Sequence, residues 1–147
     1  MTRFDAYYYG RECGRPYARD DWWLGFFQTI ADRLIAELAP TTVLDVGCAM
    51  GFLVEGFRQR GVAAFGIDVS DYAIGEADPD IRPHLAVASV ADQLPDSFPE
   101  AFDLVTCIEV LEHLERRGAH EAVARLCALG RSVVVSSPPH DHREATH

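Results

Sequence analysis

Residues 41–70 read TTVLDVGCAMGFLVEGFRQRGVAAFGIDVS, and the fold turns on how that run is parsed. TTVLDVG is short, apolar and β-branched and ends in glycine, which predicts a buried strand. FLVEGFRQRG has helical spacing and a closing Gly61. VAAFGIDVS predicts a second buried strand. Strand, helix and strand in immediate succession make a βαβ unit, the building block of a parallel sheet.

Working outward, the alternation continues. Before the unit, DDWWLGFFQTIADRLIAEL places Trp23, Phe27, Ile30, Leu34 and Leu38 on one helical face. Asp20 or Asp21 can cap that helix and Pro40 ends it. Residues 1–19 hold Gly, Pro, Arg and five aromatics without period and predict an irregular arm. After the unit, DYAIGEAD predicts one or two helical turns, HLAVASV a third strand and QLPDSFPEA a proline-broken loop. FDLVTCIEV predicts a fourth strand, residues 111–129 a helix closed by Gly130, RSVVVSS a fifth strand, and PPHDHREATH a polar tail.

Composition limits what such a domain can do. The chain has 147 residues, 48% hydrophobic and 24% charged, enough to bury roughly 68–70% of the unfolded surface in one domain. Net charge is −10, and residues 68–115 carry twelve acids against the single base Arg82. That surface repels phosphate backbones and argues against extended nucleic-acid binding. All thirteen basic residues are arginine, which excludes Schiff-base chemistry and a phosphate-loop lysine. No apolar run approaches the roughly 18 residues of a membrane span. With four unclustered cysteines, Cys13, Cys48, Cys107 and Cys127, each read as a small buried hydrophobe, the expectation is a reduced, soluble, cytoplasmic protein without membrane partners.

Ligands of open parallel sheets bind beyond the carboxyl ends of the strands. There the first strand ends in Asp45, with Gly47 for a tight turn and Gly51 opening the helix. Glycines there bring backbone N–H groups close to a ligand, and a helix start favours negative charge. A dinucleotide fingerprint fails, because its glycine positions fall on Gly47, Ala49 and Phe52. A nucleotide-dependent oxidoreductase is therefore disfavoured. The second strand ends in Asp68, placed to accept hydrogen bonds from ribose hydroxyls.

VLDVGCAMGFLVEGFRQRGVAAFGIDVS (43–70) and FDLVTCIEVLEHL (102–114) resemble class I S-adenosylmethionine-dependent methyltransferases. The resemblance implies an α/β fold, a Rossmann-like parallel sheet in three αβα layers, here lacking the C-terminal antiparallel hairpin of the complete fold. It implies residues 1–40 as an arm and amphipathic helix closing over the cofactor, and 41–147 as the cofactor-binding core, cut short at its C-terminus. Asp45, Gly47, Cys48, Ala49 and Gly51 would surround the methionine part of S-adenosyl-L-methionine. Asp68 would take the ribose, Val69 the adenine face, Ser89 and Val90 the adenine edge, and Cys107 and Ile108 would offer backbone to the methionine end. Tyr9 and Tyr17 are lid candidates, with aromatic core packing as the competing reading. The arm also resembles that of bacterial sugar and natural-product methyltransferases, so the expected reaction is O-methylation of a small molecule or sugar.

The acceptor side falls on IEVLEHLE, residues 108–115. On one helix Glu109, Glu112 and His113 would project within a fan of roughly 100°. His113, with Glu109, could serve as a general base, or the set could hold a hard cation such as Mg²⁺ or Mn²⁺. EVLEH is similar to the Glu-x-x-Glu-His motif of metal-dependent O-methyltransferases. That likeness suggests Glu109, Glu112, His113 and the distant His147 as ligands, with His140, Asp141 and His142 nearby in sequence. Three readings stay open: a metal site, a metal-free base or substrate contact, and an ordinary acidic helix start. A further alternative is a non-catalytic cofactor-binding or scaffold domain completed by a partner chain. The valine-rich strand 131–137 would be the exposed edge that pairs with it.

Overall fold

The computed structural model of the chain describes residues 3–138. Five parallel strands form one sheet: β1 (Thr42–Val46), β2 (Ala63–Asp68), β3 (Leu85–Val87), β4 (Phe102–Ile108) and β5 (Gly130–Ser136), in the order β3-β2-β1-β4-β5. Five helices accompany them: α1 (Ala6–Arg11), α2 (Asp21–Leu38), α3 (Phe52–Gln59), α4 (Asp71–Gly75) and α5 (Arg116–Leu129). The parallel α/β architecture expected from the sequence is therefore present. No strand follows β5 among the described residues, so β5 pairs only with β4 there.

Strand side chains alternate between faces, and β1 shows why the sheet is buried on both. Val43 faces a core with Ala31, Leu53, Val54, Phe57, Ala64 and Leu104, on the α2–α3 side. Leu44 and Val46 face the opposite core, with Ile67, Phe102, Val105, Leu126 and Leu129. Each fully buried Leu or Phe contributes about 1.5–3 kcal/mol. A third cluster, Tyr9, Met50, Phe52 and Ala73, lies where the arm meets the sheet's carboxyl edge.

Several boundaries differ from the expected ones. The arm is not wholly irregular: Asp5 accepts from the Tyr7 and Tyr8 amides and caps α1. The α2 stripe stops short of Leu38, which is exposed, while Ala31 is fully buried against α3. Asp20 is the α2 cap, through the Trp23 amide. The third strand contracts to three residues. Gly130 closes α5, its N–H donating to Leu126 C=O, but in an extended conformation, φ −114°, so that it also begins β5 directly. The cysteines also divide: Cys48 and Cys107 are buried, whereas Cys127 is exposed. No described helix is long and apolar enough to cross a membrane.

Candidate functional site

Asp45, Thr106 and Asp68 share a face of the sheet with Val43, Leu104 and Ala64, an even number of residues before each. Their strands deliver three polar groups to one edge. Register sets Asp45 opposite Thr106, and the buried Thr106 hydroxyl donates to Asp45 Oδ1 at 2.8 Å. Asp68 accepts the Ala49 amide on Oδ2 and the Ser70 amide on Oδ1, both at 2.8 Å. Both acids are buried. Burial pushes the Asp45 carboxyl up to about 7; the Thr106 bond opposes this and the Asp68 charge adds to it. Asp68 is also raised by burial, against the amides that hold it.

The turn after β1 is tied to β2. Gly47 and Cys48 N–H both donate to Ile67 C=O, and Gly51 N–H donates to Cys48 C=O. With Ala49 given to Asp68, these amides are not directed at a ligand as the sequence suggested. The parallel βαβ geometry brings the Ile67 carbonyl under the turn, and it takes two of them. The edge is therefore an anionic one, unsuited to a pyrophosphate. Gly47 has φ +77°, and a Cβ there would meet Val110 Cγ2 at 2.2 Å. Ala49, where the resembled family has glycine, takes the same left-handed region at φ +50°.

The segment after β4 is not the start of a helix. Glu109 is left-handed, φ +56°, with its N–H donating to Ser136 C=O at 3.0 Å and its Oε1 accepting from Ser136 Oγ at 3.0 Å. A 3₁₀ turn, Leu111–His113, follows, Leu114 is extended, and α5 starts only at Arg116. The left-handed residue and the extended one break the helical register, so the expected fan of three side chains does not form. His113 Nε2 lies 4.0 Å from Glu112 Oε1. Glu112 Oε2 is buried without a hydrogen-bond partner among the described residues, and burial together with Glu109 holds that carboxyl above its ordinary value.

The arm lies over this edge. Tyr9 is buried and stacks on Tyr72 at 6.0 Å; Tyr17 is half-buried and stacks on Phe52 at 5.1 Å. Burial raises both phenols, with Asp68 adding to it for Tyr9 and Asp45 for Tyr17. Arg19 anchors the end of the arm, making a two-point bond to the buried Glu55 of α3.

A profile of the methyltransferase domain matches residues 23–146. The chain belongs to the class I S-adenosylmethionine-dependent methyltransferase domain family. This methyltransferase domain is 36% identical over 130 residues to a ubiquinone biosynthesis O-methyltransferase of Neisseria meningitidis, covering 74% of the chain and 52% of the relative. It is 39% identical over 106 residues to the enzyme of that name from Methylococcus capsulatus, covering 69% and 45%. The chain thus spans about half the length of these curated relatives. Magnesium protoporphyrin IX methyltransferase from Synechocystis PCC 6803, solved with bound S-adenosylmethionine, superimposes with TM-score 0.67 at 21% identity, over 95% of this chain and 77% of that one. An amino pentose methyltransferase from Micromonospora echinaspora gives 0.65 at 23%, over 79% and 51%.

Within the methyltransferase domain, Asp45, Gly47, Cys48, Ala49, Gly51 and Asp68 come together at one edge, and Val69 is 46% exposed beside them. The Cys48 side chain is buried in the core beneath the turn. Ser89 is occupied with its own turn: its amide donates to Asp92 and its hydroxyl accepts from Ala91. Val90 packs on the α5-side core. Cys107 is buried in the opposite core, with Leu44, Val46 and Leu126, its thiol pushed up to about 12 by burial and then by Asp45 and Glu112; Ile108 is half-buried. Among the described residues, no three His, Cys, Asp or Glu side chains are grouped so as to hold a metal ion. His140, Asp141, His142 and His147 lie outside the described residues.

Sequence reasoning passed over Thr106, Ser70, Tyr8 and the Arg19–Glu55 pair. Thr106 was visible as a hydroxyl two residues from the end of a buried strand. Ser70 was visible as a cap directly after Asp68. The other two contacts are long-range and leave no local signal.

Proposed function

We propose that this chain binds S-adenosyl-L-methionine at the carboxyl edge of β1, β2 and β4 and serves methyl transfer to an oxygen of a small-molecule or sugar acceptor. The observation that carries the reading is the pair of buried acids beside a turn whose amides are turned inward. Such an edge suits a ligand bearing hydroxyls and positive charge. Each Asp68 oxygen holds one amide and keeps room for a hydroxyl donor, which fits a ribose. Asp45 lies toward the cationic end, where a neighbouring positive charge favours its ionised form. The exposed face of Val69 offers an apolar surface to adenine, next to Ser89 and Val90, and Cys107 and Ile108 offer backbone to the methionine end.

When bound, that cofactor supplies an electrophilic methyl group. The chain holds the acceptor in line and takes up its proton, and much of such a rate comes from placement alone. His113 is assigned as the general base. Glu109 is assigned to holding the β4 turn through Ser136, not to proton transfer, because its carboxylate is engaged there. Of residues 1–40, the arm before α2 is assigned as the lid, through Tyr9 and Tyr17, while α2 packs on α3 as part of the core. The names of the relatives support oxygen as the acceptor atom.

Calorimetry with S-adenosylmethionine on the wild type and Asp68→Ala tests the reading. Losing hydrogen bonds to a charged group, worth about 1.5–3 kcal/mol each, should weaken binding at least tenfold. Equal heats from both chains, or none from the wild type, would reject it. A second reading, a non-catalytic domain completed by a partner, is favoured by the edge of β5, which pairs only with β4 among the described residues and where Val135 is 42% exposed. A monomeric mass in solution speaks against it.

A further inference from the structure

We infer that Tyr8 is a positioning residue for His113, so that the acceptor side is assembled only while the arm is docked. This rests on the proposed role of His113 as the acceptor-side base. Tyr8 Oη lies 3.4 Å from His113 Nε2, across 105 residues of sequence. The hydroxyl does not act alone. The Phe4 ring meets the imidazole edge-on at 5.4 Å and 72°, and the Tyr8 ring meets it at 6.2 Å and 81°. Phe4 and Tyr8 in turn pack edge to face at 4.8 Å. The imidazole therefore sits in a corner made by two rings of the arm, with the Glu112 carboxylate 4.0 Å from the same nitrogen.

The arm that builds this corner is fixed to the other half of the site. Ser70 Oγ donates to Phe4 C=O at 2.5 Å, while Ser70 N–H donates to Asp68. Consecutive tyrosines divide the work: Tyr9 is buried on the Asp68 side, and Tyr8 reaches His113. A hydrogen bond to one imidazole nitrogen selects which tautomer the neutral ring adopts. A base with a fixed tautomer presents its lone pair in one direction, and docking of the arm sets that direction.

Tyr8→Phe keeps both ring contacts and removes only the hydroxyl, and a thermal melt confirms its fold. The full chain is labelled with ¹⁵N-histidine and studied near pH 8 with and without S-adenosylhomocysteine, the His113 signals being assigned by their loss in His113→Asn. In the wild type the two His113 ring nitrogens should be well separated, as one dominant tautomer requires. In Tyr8→Phe they should move toward each other as the tautomers exchange. Reciprocally, the Tyr8 Cζ resonance of ¹³C-tyrosine-labelled protein should shift in His113→Asn. Converged His113 nitrogens already in the wild type, or no change in either ring on substitution, overturns the inference. These signals are read without turnover, so absent cofactor heat would reject the cofactor reading while the ring shifts still decide the clamp.

Discussion

The two halves of the candidate site are built in opposite ways. At the β1–β2 edge, each acid has its hydrogen-bond partners and β2 takes the amides of Gly47, Cys48 and Ala49. At the β4 edge, Glu109 holds a left-handed backbone, Glu112 Oε2 has no partner among the described residues, and the arm braces His113. The first half has its polar groups held by fixed partners. The second is a set of groups whose arrangement depends on what lies over them.

The largest test strikes the partition between them. Gly47→Ala combines a left-handed alanine, about 1–2 kcal/mol, with an overlap against Val110, about 1–3 kcal/mol. A stability loss of about 2–4 kcal/mol by urea titration is expected, with loss of cofactor heat. Adding Val110→Ala removes the overlap but not the backbone strain, so a double-mutant cycle should return part of the loss. A cycle with no coupling would mean the halves do not touch there.

Next in size is Asp45→Asn, which tests the charge of the first half. The Asp45 carboxyl titrates near 7 in the folded chain, above its ordinary value, so the folded state holds that proton more tightly. Its contribution is fully present below about pH 4 and is lost as pH rises through 7. Asparagine keeps an acceptor for Thr106 and does not ionise. Without cofactor, the variant should match the wild type near pH 4 and exceed it near pH 8 by about 2–4 kcal/mol, while binding S-adenosylmethionine more weakly. An advantage of equal size at both pH values would refute the assignment.

The smallest effects compare the two left-handed side-chain positions. Ala49→Gly should raise stability by about 1 kcal/mol, with cofactor binding retained. Glu109→Gly relieves the same strain but loses the Ser136 contact, so its gain should be smaller. Equal gains, measured side by side in urea, would show that the Glu109 side chain contributes nothing to its turn.

The order of elements was legible because βαβ units carry local signals: β-branched runs, helical spacing and closing glycines such as Gly61. Asp45 and Asp68 were legible because a strand end is a position along the chain. The geometry of residues 109–113 was not, because the bond that holds Glu109 left-handed comes from Ser136, 27 residues on. The brace on His113 was hidden for the same reason, Tyr8 being 105 residues away. Amide direction in the β1 turn was misread because Ile67, the acceptor, belongs to the next strand.

The junction of α5 and β5 adds a constraint of length. The helix ends at Leu129 and the strand begins at Gly130, with no loop between them. Nothing there can absorb an inserted or deleted residue, and a one-residue slip in a strand sends every side chain to the other face. The helix therefore acts as a ruler. Its count of residues decides where Ser136 arrives, and with it whether the chain after β4 can turn at all.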